Sequence, residues 1–250
     1  VCREHGLPDK LALVTDWPEP TVGEHDVLID VKAAGLNFPD VLMIQGKYQY
    51  QPDMPFIPGG ECAGVVAAVG AKVTRFKVGD KVLSAGGSGA FCQRIAAHEL
   101  GAFPMPDGLS FEQAAGVSIT YFTSYYALKQ RANLQPGETL LVLGAAGGVG
   151  TSAIELGKHM GARVIAAAST DEKLELCRKL GADEVINISA ATTKLGMLMP
   201  ISAMVSESQS SNPPRLTAAS VPMQTPLITP ITSAKVPSAT EIGSDVRMIS

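Results

Sequence analysis

Apolar and polar positions follow one rhythm over the first hundred residues and another after them. Early on, short strand-like runs are punctuated by turns. Val27-Leu28-Ile29-Asp30-Val31-Lys32 reads as a half-buried strand, and Gly64-Val65-Val66-Ala67-Ala68-Val69-Gly70 is an apolar run closed by glycine. Val78-Gly79-Asp80-Lys81-Val82-Leu83 sets Gly-Asp between apolar residues, which predicts a hairpin. Gly86-Gly87-Ser88-Gly89-Ala90 follows as a flexible turn. These runs predict a small, strongly bent antiparallel sheet or partial barrel.

The texture changes near residue 110. Ser110 stands where it can cap a helix opening at Phe111-Glu112-Gln113. Residues 114–131 are apolar and aromatic, suited to one or two buried helices that link two domains. Pro136-Gly137-Glu138 marks a turn. Beyond it, residues 139–143 predict a continuous apolar strand, 149–160 a helix, 162–168 a second strand, 171–180 a second helix stopped by Gly181, and 183–188 a third strand. Near-continuous apolar strands alternating with helices predict a parallel sheet covered by helices, with right-handed crossovers. From about residue 190 the chain is rich in Ser, Thr and Pro and has no aromatic residue. Prolines at 213, 214, 222, 226, 230 and 237 interrupt longer elements, so the tail is expected to be largely disordered and unable to finish a sheet. The fold class expected is therefore α/β with a β-rich domain. The β-rich domain covers residues 1–120, the first half of a dinucleotide-binding domain covers 121–189, and a low-complexity tail covers 190–250.

Composition narrows the function. Of 250 residues, 46% are hydrophobic and 18% charged, enough apolar material for a packed core. A net charge of −4, without any basic run, excludes a nucleic-acid partner. Cys2, Cys62, Cys92 and Cys177 form no CxxC pair, so they read as buried free thiols in a reducing compartment. No apolar run approaches the roughly 18 residues of a membrane span. The cytoplasm is the default location, with mitochondria left open because the sequence starts at Val1.

The chemistry centres on Leu141-Val142-Leu143-Gly144-Ala145-Ala146-Gly147-Gly148-Val149-Gly150. This run lies between the first parallel strand and its helix, where a dinucleotide pyrophosphate binds. Aligned to G-x-G-x-x-G it reads Ala145-x-Gly147-x-x-Gly150, with Gly144 just ahead supplying flexibility. A second strand about twenty residues on makes the signal strong. At the end of that strand an NAD-preferring site places Asp or Glu. Here Ala166-Ala167-Ala168 runs into Ser169, which can donate to a 2′-phosphate, and Lys173 can reach it from the next helix. Asp171 is better explained by the helix dipole. NADPH is favoured over NADH. Catalytic zinc needs three Cys, His or carboxylate ligands and an open position. Asn37 and Gly60 occupy positions where ligands would be expected, and His5, His25, His98 and His159 lie in unrelated contexts. No metal site is expected.

With Ala34-Gly35-Leu36-Asn37-Phe38-Pro39-Asp40, Gly46-Lys47-Tyr48, Pro55-Phe56-Ile57-Pro58-Gly59, Pro106-Asp107-Gly108-Leu109-Ser110, Thr120-Tyr121-Phe122-Thr123-Ser124-Tyr125, the glycine loop and Gly181-Ala182-Asp183-Glu184-Val185-Ile186-Asn187, residues 1–188 resemble a known family. It is the zinc-independent quinone oxidoreductase (zeta-crystallin-like) branch of the medium-chain dehydrogenases and reductases. The resemblance implies a GroES-like catalytic domain, a Rossmann domain, NADPH as hydride donor, and a quinone or α,β-unsaturated carbonyl as acceptor. It implies Asn37 and Tyr48 as active-site polar groups and Thr120 near the nicotinamide and its phosphates. Ala145, Gly147, Gly148, Val149 and Gly150 become cofactor contacts, with Ser169 and Lys173 at the 2′-phosphate. A packing role for Tyr48 weighs equally with the catalytic one. Two departures stand out. Ile188 replaces a tyrosine that helps hold the adenosine phosphate. The family also continues through three more strands, including the edge at which it forms homodimers, where this chain enters its Ser/Thr/Pro tail. The Rossmann domain is therefore expected to be incomplete. The alternative expectation is a truncated or spliced product of little activity that binds nucleotide or another subunit.

Overall fold

The computed structural model describes residues 1–189 and two further strands, Ile228–Ile231 and Val246–Ile249. The chain divides into two compact units, Val1–Ile119 and Thr120–Ser250.

The first unit is built on a sheet of five strands. They are β1 (Asp26–Gly35), β2 (Glu61–Val69), β3 (Lys81–Ala85), β4 (Arg94–His98) and β5 (Ala102–Pro104), ordered β4-β1-β2-β3-β5. Every neighbouring pair is antiparallel. The β1–β2 register slips between Leu28 and Ile29 and again between Val31 and Ala33. Such bulges bend a strand and strengthen its twist, which is how a short sheet curls around a core. Val27, Ile29, Val66, Val82 and Ala102 meet Phe76 on one side. On the other side Ala63 and Leu83 pack against Ala114 and Ala115 of α2 (Phe111–Ala115). Ser110 caps α2 as expected: its hydroxyl accepts the Gln113 N–H, and the Gln113 side chain returns to the Ser110 N–H. The helix α1 (Phe38–Ile44) sets Met43 and Ile44 against Cys2 and Phe56.

One expected turn is placed differently. Val78 is not on a strand. It is 62% exposed in a turn that Gly79 closes at φ +91°, and β2 and β3 are joined by a longer connection. Asp80 explains the difference, because its carboxylate accepts the Lys77 N–H at 3.0 Å and closes a local loop instead of a two-residue hairpin.

In the second unit, α3 (Ser118–Tyr125) begins at the unit boundary and runs into a wider π-helical turn, Tyr126–Arg131. Then come β6 (Thr139–Leu143), α4 (Gly148–His159), β7 (Arg163–Ala168), α5 (Asp171–Lys179) and β8 (Glu184–Asn187). The β6–β7 and β7–β8 pairs are parallel, as the continuous apolar runs imply. Leu140 and Val142 face Ala153 and Ile154 of α4 and Cys177 of α5, while Leu141 joins Ile165 and Ala167 on the opposite face. The helix crosses close to the sheet at Gly157, where a Cβ would lie 2.6 Å from Leu140 Cδ2.

The sheet does not stop at three strands. Val246–Ile249 (β10) pairs parallel with β6, and Ile228–Ile231 (β9) pairs antiparallel with β10, giving β8-β7-β6-β10-β9. The tail, expected to be unable to finish a sheet, adds these two strands to it. Val246 and Ile249 are strand-forming residues, and Pro230 lies on β9, the edge strand of this sheet, where proline is found. The rest of the tail, including its expected disorder, lies outside the described residues.

Asp183 ties the third parallel strand into this layer. Its carboxylate accepts the Val164 N–H at 2.7 Å and both contacts of the Lys158 ammonium at 2.7 Å. Burial pushes this carboxyl up, but Lys158, the Val164 N–H and Arg163 outweigh it, and it lies below the ordinary aspartate range. A lowered native pKa contributes stability above the unfolded value that is lost as pH falls through the native one. Asp183→Asn should therefore cost about 1 kcal/mol at neutral pH, discounted for partial exposure. In urea melts run at falling pH, the gap to the wild type should narrow below the unfolded aspartate range.

Candidate functional site

The glycine loop is formed by packing as much as by composition. Gly144 leaves β6 at φ +60°, and its carbonyl accepts the Gly147 N–H at 2.9 Å. Ala145 is fully buried beneath the loop, and its N–H donates to Ala167 O of β7 at 3.1 Å. Gly150 is the tight point. A Cβ there would lie 2.6 Å from Gly144 O and 2.7 Å from Ala145 Cα, so only glycine lets the first turn of α4 press onto the strand it follows. Gly147 and Gly148 stay exposed at the helix start. The N–H groups of Gly148, Val149 and Gly150 belong to the turn that has no preceding carbonyls to bond, and the helix dipole adds partial positive charge there. This is the structure of an anion cradle. Thr120 adjoins it, with Cγ2 3.0 Å from where a Gly148 Cβ would sit.

Ser169 is half-buried at the end of β7, and Lys173 is exposed in the first turn of α5. Thr170 caps that helix, and the Asp171 carboxylate is bonded by Asn187 Nδ2 at 2.9 Å. The nearest acid is thus engaged with β8.

Asn37 stands at the start of α1 with its side-chain amide donating to Glu61 Oε1 at 2.7 Å. Glu61 is 2% exposed on β2, and its other oxygen accepts the Ile119 N–H at 2.8 Å. The Asn37 N–H donates in turn to Asp40 Oδ2 at 2.8 Å. Burial pushes the Asp40 carboxyl up, and the N–H groups of Asn37, Gly60 and Gly59 offset part of that rise. Glu61 fixes the orientation of the Asn37 amide and engages one of its two protons. Tyr48 is partly buried, with its ring packed beside the Cys2, Met43, Ile44 and Phe56 cluster.

Burial pushes the Cys62 thiol up to about 12, which makes it a neutral thiol rather than a nucleophile at ordinary pH. Among the described residues, no group of three or more His, Cys, Asp or Glu is arranged to hold a metal ion. His25 and His98 stack on each other with centroids 5.8 Å apart, and His5 lies against Gly46. Nor is any helix among them long and apolar enough to cross a membrane.

Residues 23–132 match the alcohol dehydrogenase GroES-like domain, and residues 148–208 match the zinc-binding dehydrogenase model. By these two matches, and by the quinone oxidoreductases among its relatives and solved neighbours, the chain is similar to the quinone oxidoreductases. It is 39% identical over 196 residues to a quinone oxidoreductase-like protein 2 homolog of Nematostella vectensis, covering 78% of this chain and 53% of that protein. Among solved structures, the quinone oxidoreductase of Pseudomonas syringae pv. Tomato DC3000 is 39% identical with a TM-score of 0.71, covering 78% and 60% of the two chains. That of Escherichia coli, solved with NADPH, is 33% identical with a TM-score of 0.71, covering 78% and 61%. The chain spans about half the length of the curated relatives it matches.

Glu61 and Asp40 escaped the reading of the sequence as functional groups. The available signal was a lone carboxylate opening an otherwise apolar strand, Glu61-Cys62-Ala63-Gly64-Val65-Val66. Removing the amide that satisfies Glu61 should be costly. Asn37→Ala is expected to destabilise the chain by about 1–3 kcal/mol, the range for a buried acceptor left without its donor. Asn37→Asp should cost more, since it replaces the amide donor with a second acceptor facing Glu61 Oε1. Thermal melts of both variants check this, and equal melting temperatures for wild type and Asn37→Ala would show the contact to be idle.

Proposed function

We propose that the chain is a zinc-independent oxidoreductase that moves hydride from NADPH to a quinone or another α,β-unsaturated carbonyl. The observation that carries the proposal is the glycine loop, closed so tightly at Gly150 that the first turn of α4, whose N–H groups have no preceding helical carbonyls, presses onto β6. The NADPH seen with the Escherichia coli relative supports the choice of cofactor.

NADPH, when bound, supplies the hydride. The chain's residues hold and orient it. Gly148, Val149 and Gly150 would take the pyrophosphate charge on their N–H groups, with Gly147 giving the backbone room and Ala145 supporting the loop from below. Ser169 and Lys173 would hold the 2′-phosphate, as hydroxyl donor and cation respectively. No acid at the end of β7 opposes that phosphate, and Asp171 is engaged by Asn187.

On the acceptor, negative charge grows on an oxygen as hydride arrives at carbon. The second amide proton of Asn37, aimed by Glu61, is the donor proposed to stabilise it. A preorganised donor of this kind contributes about 3–4 kcal/mol. Tyr48 is the other candidate donor, weighed against the packing role its surroundings support.

The test separates binding from chemistry. Lys173→Ala is expected to weaken NADPH about tenfold, the effect of one charge-assisted contact of ~1.4 kcal/mol, and to leave NADH unchanged. Asn37→Ala with Tyr48→Phe is expected to abolish quinone reduction while NADPH still binds. A wild-type chain that binds NADPH yet shows no acceptor-dependent oxidation would be a nucleotide-binding protein, and the enzymatic proposal would fail. Quinone reduction surviving in the double variant would remove both residues from the mechanism.

A further inference from the structure

Two buried serines lie under the loop, and neither is explained by the cofactor contacts. Ser124 on α3 is 0% exposed and Ser152 on α4 is 1% exposed. Their hydroxyls are 2.8 Å apart. Ser124 Oγ also lies 2.9 Å from Val149 O, and Ser152 Oγ lies 2.9 Å from Val149 O and 3.1 Å from Thr120 O. We infer that this serine pair is a positioning clip for the pyrophosphate cradle, an inference that rests on the nucleotide reading proposed above.

The geometry says what the clip holds. A peptide unit is planar, so fixing the Val149 carbonyl fixes the plane that also carries the Gly150 N–H. That N–H is one of three proposed to meet the pyrophosphate. The pair shares two protons among these oxygens. When Ser124 donates to Ser152, Ser152 is left to donate to Val149 O, at 2.9 Å, or to Thr120 O, at 3.1 Å, and so holds the first turn of α4 or ties α4 to the start of α3. When the direction reverses, Ser124 donates to Val149 O and grips α4 instead. Either way a hydroxyl proton holds one wall or the floor of the cradle. A second contact, the Tyr121 hydroxyl to the Glu155 carboxylate, joins the same two helices farther along. That bond and burial push the Tyr121 hydroxyl up to about 12, so it remains a neutral donor and keeps the helices together when the serines are changed.

A buried hydroxyl is costly when its partner is removed and nearly neutral when both partners go together. Ser124→Ala with Ser152→Ala should therefore leave the melting temperature of the nucleotide-free chain nearly unchanged and loosen only the cradle. The experiment titrates NADPH and adenosine 2′-monophosphate into wild type, both single variants and the double variant, alongside thermal melts. Adenosine 2′-monophosphate carries the phosphate proposed for Ser169 and Lys173 but no pyrophosphate. The expected result is a five- to tenfold loss of NADPH affinity in the double variant, with 2′-monophosphate binding and melting temperature retained. If NADPH binds the double variant as tightly as wild type, the clip is overturned and the functional proposal stands. If both ligands weaken together with a falling melting temperature, the serines are only packing. Should the double variant fail to fold, the singles decide: Ser124→Ala must weaken NADPH and spare the 2′-monophosphate. A wild-type chain that does not bind NADPH removes the nucleotide reading and the clip with it.

Discussion

The first turn of a helix offers bare N–H groups to an anion, and a fixed cradle results when that turn is held against the strand that leads into it. Here that hold is the contact of Gly150 with Gly144 O and Ala145 Cα, closer than any side chain permits. Everything proposed for the second unit follows from it. Ala145 is buried and bonded to β7, so the loop has a fixed floor. Gly147 folds back onto Gly144, so the loop turns without projecting a side chain into the space above. β7 runs parallel beside β6, which brings Ser169 and the first turn of α5 to the same end of the sheet as the loop. At that end of a parallel sheet, ligands meet helix N-termini.

The first unit depends on a different constraint, the placing of charge inside a small β-rich core. Glu61 and Asp40 are 2% and 3% exposed. A carboxylate so placed must be met by donors or give up its charge. Asp40 is met by backbone N–H groups, and Glu61 by the Asn37 amide and the Ile119 N–H. Those burials yield orientation: Asn37 cannot rotate without breaking its hydrogen bond to Glu61. That makes Asn37 a more rigid donor than its place at the start of a short helix suggests.

Much of this was legible in the residues. The β6–α4–β7–α5–β8 alternation was readable to within a residue or two at most ends, because its strands are continuous apolar runs and the second helix is stopped by Gly181. Ser110 marked the start of α2. Where reading failed, the cause was tertiary. Val78 looked like strand because it is apolar, but Asp80 closes a loop on Lys77. The prolines of the tail argued against elements longer than a few residues, and the four residues from 246 to 249 pair with β6 all the same. Glu61 and the serine pair are polar residues in apolar segments. Their partners, 24 and 28 residues away, are set by the fold and not by local pattern.

The most direct measurement is amide hydrogen exchange of the full chain, with and without saturating NADPH, read at the start of α4. The expected result is slower exchange at Gly148, Val149 and Gly150 on adding NADPH, while the far end of α4 changes little. Exchange at those three amides that NADPH leaves untouched would contradict the account, because then the cradle does not hold the pyrophosphate it is shaped to receive.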